Sequence, residues 1–222
     1  MSSHDDYGYY EQELAMEKFL DDSLKQIAED NVRLYLGTYG DAVEERTREC
    51  VKLAKELQKA NFHGSSLSLF VTAIELLIRF MLLRPLMQGA FLSDEWAEIL
   101  SNRIAAGRSS EDRKMLPAIL QQWGIDINSL RTKSNRHLWS SIQDVIKKRH
   151  GFVHSGKSVA PQDSQEGLEA VDALLTQVLI PLAEKLGFSL SETGKWHKID
   201  KRTPGGGEYH TSFTPGNPFD KE

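Results

Sequence analysis

The chain has 222 residues, 40% of them hydrophobic and 27% charged, with a formal net charge of −5 at pH 7. That size and balance suit one main domain with a real core plus tails. They exclude attraction of the whole molecule to nucleic acid or anionic lipid, so any anion site must be local.

The single cysteine, Cys50, cannot form an intramolecular disulfide. The opening MSSHDDYGYYEQE has neither the basic end nor the apolar stretch of a secretory signal, so a cytoplasmic protein is expected. From Tyr9 to about Leu36, apolar residues including Leu14, Phe19, Leu20, Leu24, Ile27 and Val32 recur at mostly helical spacing among many carboxylates. The spacing predicts an amphipathic N-terminal helix over residues 1–36 with an acidic outer face. Gly37 and Gly40 punctuate it, and a second helix is expected from about Asp41 through Val43, Val51, Ala54 and Leu57 to the HGSS at 63–66. Ser65 or Ser66 is then expected to cap a third helix. Its run LSLFVTAIELLIRFMLLRPLM, residues 67–87, is long enough to cross a bilayer, but Glu75, Arg79 and Arg84 would be costly in lipid. It reads as a buried core helix that kinks or ends near Pro85, and no membrane partner is expected.

Shorter helices are predicted from Asp94 to Ile104 and from Met115 to Trp123, separated by the loop GRSSED. A further helix covers LWSSIQDVIKKRH, where Leu138, Ile142, Val145 and Ile146 form one apolar stripe, and Gly151 is expected to interrupt it. Beyond the loop SGKSVAPQDS, residues 165–186 read as a last long helix with a bend or late stop at Pro181. From Ser189 the chain is polar and dense in Gly and Pro, so residues 189–222 read as a disordered or extended tail. No alternating strand pattern and no fixed-period repeat occurs. The expected fold is all-α, an antiparallel helical bundle over residues 37–188.

The chemistry concentrates in KKRHGFVHSG, residues 147–156. Between Arg131 and Lys157 there are seven Lys or Arg against one carboxylate, Asp144, a local +6 that leaves −11 for the rest of the chain. Cations at a helix C-terminus also suit the helix dipole without any function. A sharper reading starts from Arg149 and His154, spaced Arg-x4-His. Arginine offers a planar fork for phosphate oxygens, and imidazole exchanges protons near neutrality. Together they can cleave RNA without a metal: the 2′-hydroxyl is deprotonated and attacks its own phosphorus, and the leaving 5′-oxygen is protonated. On an unbroken helix the two side chains would diverge by about 140°, so the reading calls for a bend, which Gly151 is expected to provide.

A rival reading places zinc between His150 and His154, with Glu75 or Asp144 as a third ligand. Lys147, Lys148 and Lys157 are candidate contacts to an RNA backbone. Glu75 either supports the Arg149–His154 pair or forms an i,i+4 ion pair with Arg79. Trp139 stacks on a base or packs in the core, and His137 reads as a surface or capping residue. No Gly-rich phosphate loop, GxSxG, CxxC or HExxH is present.

Arg149, His150, Gly151, Phe152, Val153 and His154, at a helix end in an all-α chain, resemble the Arg-x4-His motif of the HEPN superfamily (higher eukaryotes and prokaryotes nucleotide-binding). The likeness covers the motif and, more loosely, residues 40–187. It implies a bundle that homodimerises so that two motifs face one cleft, as a metal-independent endoribonuclease needing no cofactor. Arg149 and His154 would be catalytic and His150 supporting. It also implies a role as a toxin or antiphage effector, held in check by an antitoxin or another regulatory protein. A non-catalytic module that binds nucleotide, RNA or a protein partner is the alternative. HEPN toxins modified by a nucleotidyltransferase antitoxin carry a Tyr two residues after the His, where this chain has Gly156.

Overall fold

The computed structural model describes residues 5–89, 94–106, 110–185, 188–190 and 196–198. The protein is all-α, as the periodicity predicts, with one short hairpin appended. Its helices are α1 (Asp5–Lys59), α2 (His63–Leu76), α3 (Arg84–Gly89), α4 (Asp94–Ala106), α5 (Ser110–Gln122), α6 (Leu138–Ser155), α7 (Pro161–Leu174) and α8 (Ile180–Lys185). Two π-helical stretches, Leu77–Leu83 and Leu175–Leu179, join α2 to α3 and α7 to α8.

The helix break expected at Gly37 and Gly40 is absent. α1 runs unbroken for 55 residues, about 82 Å at 1.5 Å per residue. Val32, Tyr35, Leu36, Tyr39 and Val43 are buried in one helically spaced stripe that crosses both glycines. A mid-helix glycine costs about 1 kcal/mol, whereas each buried large side chain stabilises by about 1.5–3 kcal/mol, so packing wins. Nearer the N-terminus the helix has no such cover. Met16 and Phe19 are 61% and 65% exposed, and Leu14 and Leu20 are about half exposed.

α2 lies at the centre, packed against α1, α6 and α7. Its N-cap position is Phe62, not Ser65 or Ser66, and the Ser66 hydroxyl instead donates to the Ala54 carbonyl at 2.8 Å. Gly167 of α7 lets that helix approach closely, since a Cβ there would come within 3.1 Å of both Leu67 and Phe70. The helical stretch His63–Met87 is long and apolar enough to span a membrane, and 67% of its apolar window is buried inside the bundle as core.

Neither Pro85 nor Pro181 ends its helix. Each follows a π-helical stretch whose closing bond is i→i−5, from the Arg84 N–H to the Arg79 carbonyl and from the Ile180 N–H to the Leu175 carbonyl. Widening the turn makes room for a ring that would clash with the i−4 carbonyl, and it reassigns the bond that proline cannot donate. After α8, β1 (Phe188–Leu190) pairs antiparallel with β2 (Trp196–Lys198), with Ser189 opposite His197. The described part of the tail is extended in this short ladder, within the disordered or extended form expected from Ser189; residues 191–195 and 199–222 lie outside the described residues.

Candidate functional site at the end of α6

α6 starts after His137, which is exposed and whose Nδ1 lies 2.8 Å from the Asn128 carbonyl. Leu138, Ile142 and Val145 bury its core-facing stripe, and Trp139 packs partly buried against the same core. The bend expected at Gly151 does not occur. The helix continues to Ser155 and stops at Gly156, whose φ of 61° is the left-handed conformation glycine adopts without strain. The N–H groups of Gly156 and Lys157 close the turn on the carbonyls of Phe152 and Gly151, both at 3.2 Å, so the stop falls five residues later than expected. Phe152 fixes this end of the helix. Its ring lies so close over Gly64 of α2 that a Cβ there would collide with it.

Because the helix is regular, its side chains separate into two groups. Arg149 and His154 point about 140° apart, at 100° per residue. Arg149 turns toward α2. It is half-buried, its Nε is buried without a hydrogen-bond partner, and it acts electrostatically on Glu75. Burial pushes the Glu75 carboxyl above its ordinary range, outweighing the opposite pull of Arg149 and then of Arg79. The expected Glu75–Arg79 ion pair is not made. Arg79 instead donates to Asn102 and stacks its guanidinium over Phe80, 5.0 Å from the ring centre, because the π-helical stretch beginning at Leu77 shifts the side-chain phase.

His150 and His154 project to solvent on the other side. Their ring centres are 4.4 Å apart and their planes tilted by 46°. Among the described residues no three His, Cys, Asp or Glu side chains gather, so this pair has no third metal ligand there. Asp144 is engaged by Arg136, and Glu75 lies on the far side of the helix.

The local +6 is largely answered from α7, which the local charge count did not anticipate. Lys148 Nζ lies 2.6 Å from Asp163 and 2.8 Å from Glu166, and Arg136 reaches Glu166 at 2.7 Å as well as Asp144. The Asp163 carboxyl is raised by burial, but the bonds from Lys148 and from the Ala160 N–H outweigh this and hold it below its ordinary range. Asp163 had a readable signal. Pro161 at the first helical position with an acid two residues on marks a helix N-terminus that bears a carboxylate. Lys147 and Lys157 make no ion pair among the described residues. Both line a cavity of about 480 Å³ beside Gly151, together with Arg136, Lys148 and Ser158. A second cavity, of about 460 Å³ and lined by no lysine or arginine, lies between the end of α1 and α7 and includes Gln58, His63 and Gln165. His63 gains a partner there, its Nδ1 sitting 3.2 Å from the Ser164 hydroxyl.

The class that fold and site define is therefore an all-α bundle with a mixed histidine and lysine face at one helix end. Comparison of the chain with protein-family models, with curated proteins and with solved structures finds no match in any of the three.

Proposed function

We propose that the protein is a metal-independent endoribonuclease of the HEPN type that works as a homodimer. The observation that carries the reading is the pairing of two exposed imidazoles, His150 and His154, with an arginine, Arg149, that has no carboxylate within ion-pair distance among the described residues, all inside the RHGFVH motif. Lys148 on α6 and Arg136 just before it are already neutralised by carboxylates. The divergence of Arg149 and His154 within one chain means that a phosphodiester meeting both takes them from different copies. His154 of one copy removes the 2′-hydroxyl proton, the 2′-oxygen bonds to the adjacent phosphorus, and the bond to the 5′-oxygen breaks as that oxygen takes a proton from an imidazolium. Arg149 of the other copy holds the phosphate charge that builds during attack. The products are a 2′,3′-cyclic phosphate and a 5′-hydroxyl. A toxin or antiphage role, with an antitoxin or regulatory partner, follows from this activity.

The test uses mixed RNAs in EDTA. The wild-type protein should cleave them, and His154→Ala and Arg149→Ala should each lose activity. Mixing the two inactive variants should restore about one quarter of wild-type activity, because half the dimers are mixed and each of those holds one intact composite site. Folded wild-type protein inert on every RNA sinks the reading.

The same divergence favours a second reading, a bundle that binds RNA or nucleotide without chemistry. Arg149→Ala would then weaken binding with no cleavage to lose, and the toxicity of expressed protein would not be relieved by His154→Ala.

A further inference from the structure

Lys147, His150, Gly151 and His154 are spaced i, i+3, i+4 and i+7, so they form one stripe along α6, about 100° around the helix from Arg149 at its nearer edge, His150, and about 160° at Gly151. The cavity beside Gly151 opens on this stripe. Gly151 is the floor. Lacking a Cβ, it allows the Lys157 side chain to fold back across the helix, where a Cβ would come within 3.2 Å of the lysine Cδ. The four cations lining the cavity are of two kinds. Arg136 and Lys148 are clamped by Asp144, Asp163 and Glu166, which fixes the wall. Lys147 and Lys157 carry no such partner among the described residues, and Ser158 lines the cavity beside them. A cavity with two spare ammonium groups, and carboxylates already in its wall, fits an anion of low charge rather than a free polyanion. A phosphodiester matches that.

We propose that this cavity holds the phosphodiester next to the scissile one, through Lys147 and Lys157 of the same copy that presents His154. Lys147 lies two helical turns, about 10.5 Å, from His154, too far for both to meet one phosphate but suited to neighbouring phosphates on one strand. The identity of the anion rests on the nuclease reading; the geometry of the cavity does not. Arg149 then acts on the scissile group alone, and the lysines contribute strand affinity.

The experiment is binding of a fluorescent 2′-O-methyl RNA hexamer, which cannot be cleaved by 2′-hydroxyl attack, followed by anisotropy over a range of salt. The wild-type protein should bind. Lys147→Gln with Lys157→Gln should weaken binding by about tenfold or more and lower the slope of log affinity against log salt by about 0.7, one phosphate's worth for a single strand. Arg149→Gln should change affinity by less than about threefold, since Arg149 acts on charge that builds only during attack, which this hexamer does not undergo. Gly151→Leu fills the cavity without removing charge and should weaken binding as the double lysine variant does, with unchanged far-UV circular dichroism. Wild-type protein that ignores the hexamer, or a double lysine variant with wild-type affinity and salt slope, overturns the subsite. Hexamer binding that follows this pattern without cleavage of ordinary RNA instead sinks the nuclease reading and leaves the subsite standing.

Discussion

Along α6 the side that faces α2 and the side that faces solvent hold their cations by different means. Arg149, on the inner side, has a buried Nε with no acceptor and a half-buried Glu75 as its electrostatic neighbour. On the outer side Lys148 is tied down by two carboxylates of α7, while Lys147, Lys157 and the two histidines are left to solvent. The inner side is preorganised by packing and the outer by ion pairs that stay wet and salt-sensitive. A group that waits for a substrate on the inner side must carry a desolvation cost when empty; on the outer side it need not. Under the proposed nuclease function, the difference gives Arg149 the positioning of one charge and the lysine face the recruitment of a strand.

The largest effect expected is on the outer side. His154→Ala should reduce RNA cleavage by about 10²–10⁴, the usual loss on removing a proton-transfer group. Its melting temperature should not move, because the ring is exposed and donates no structural hydrogen bond. A variant that loses activity only in proportion to lost folded protein would erase the distinction between the two sides.

Three glycines, Gly64, Gly151 and Gly156, give the next test. Gly64→Ala drives a methyl into the ring of Phe152 and should cost about 1–3 kcal/mol by overpacking, read as a lower denaturant midpoint. Gly151→Ala sits in unbroken helix, where the only close neighbour is the flexible Lys157 chain, so stability should stay level or rise by up to about 1 kcal/mol. A bend at Gly151 would reverse the second result. Gly156→Ala should fall between them, at a loss of about 1 kcal/mol, because φ is +61° there.

The fold class, the apolar core helix and the position of RHGFVHSG at a helix end were all legible in the residues. Local glycine signals were not reliable. Gly37, Gly40 and Gly151 each read as breaks, yet each lies within a continuous helix, because a cost of about 1 kcal/mol is set against packing visible only in three dimensions, such as Tyr35 and Val43 on α1 and Phe152 on α6. The +6 segment misled for a related reason. Its counter-charges Asp163 and Glu166 lie beyond the loop that ends it, and only the docking of α7 beside α6 brings them to Lys148 and Arg136. Pro85 read as a kink or an end and Pro181 as a bend or late stop; neither ends its helix, since a π-helical turn absorbs each.

The smallest effect separates the two sides by acid. Glu75 has its folded-state pKa raised, chiefly by burial, so the folded protein holds that proton more tightly than the unfolded chain does. Its contribution to stability therefore falls as pH rises from the ordinary carboxylate range through the raised value. Asp163, with a folded-state pKa lowered by Lys148 and the Ala160 N–H against the effect of burial, does the reverse: its contribution is present above the unfolded value and is lost as pH falls through the folded one. Glu75→Gln should thus flatten the decline above the ordinary carboxylate range and leave the protein no less stable at neutral pH. Asp163→Asn should lower stability at neutral pH and remove part of the loss seen on acidification. Chemical denaturation at a series of pH values reads both. If Glu75→Gln lowered stability at pH 7, its attraction to Arg149 would outweigh its burial, and the inner side would be held together by the same ion pairing as the outer.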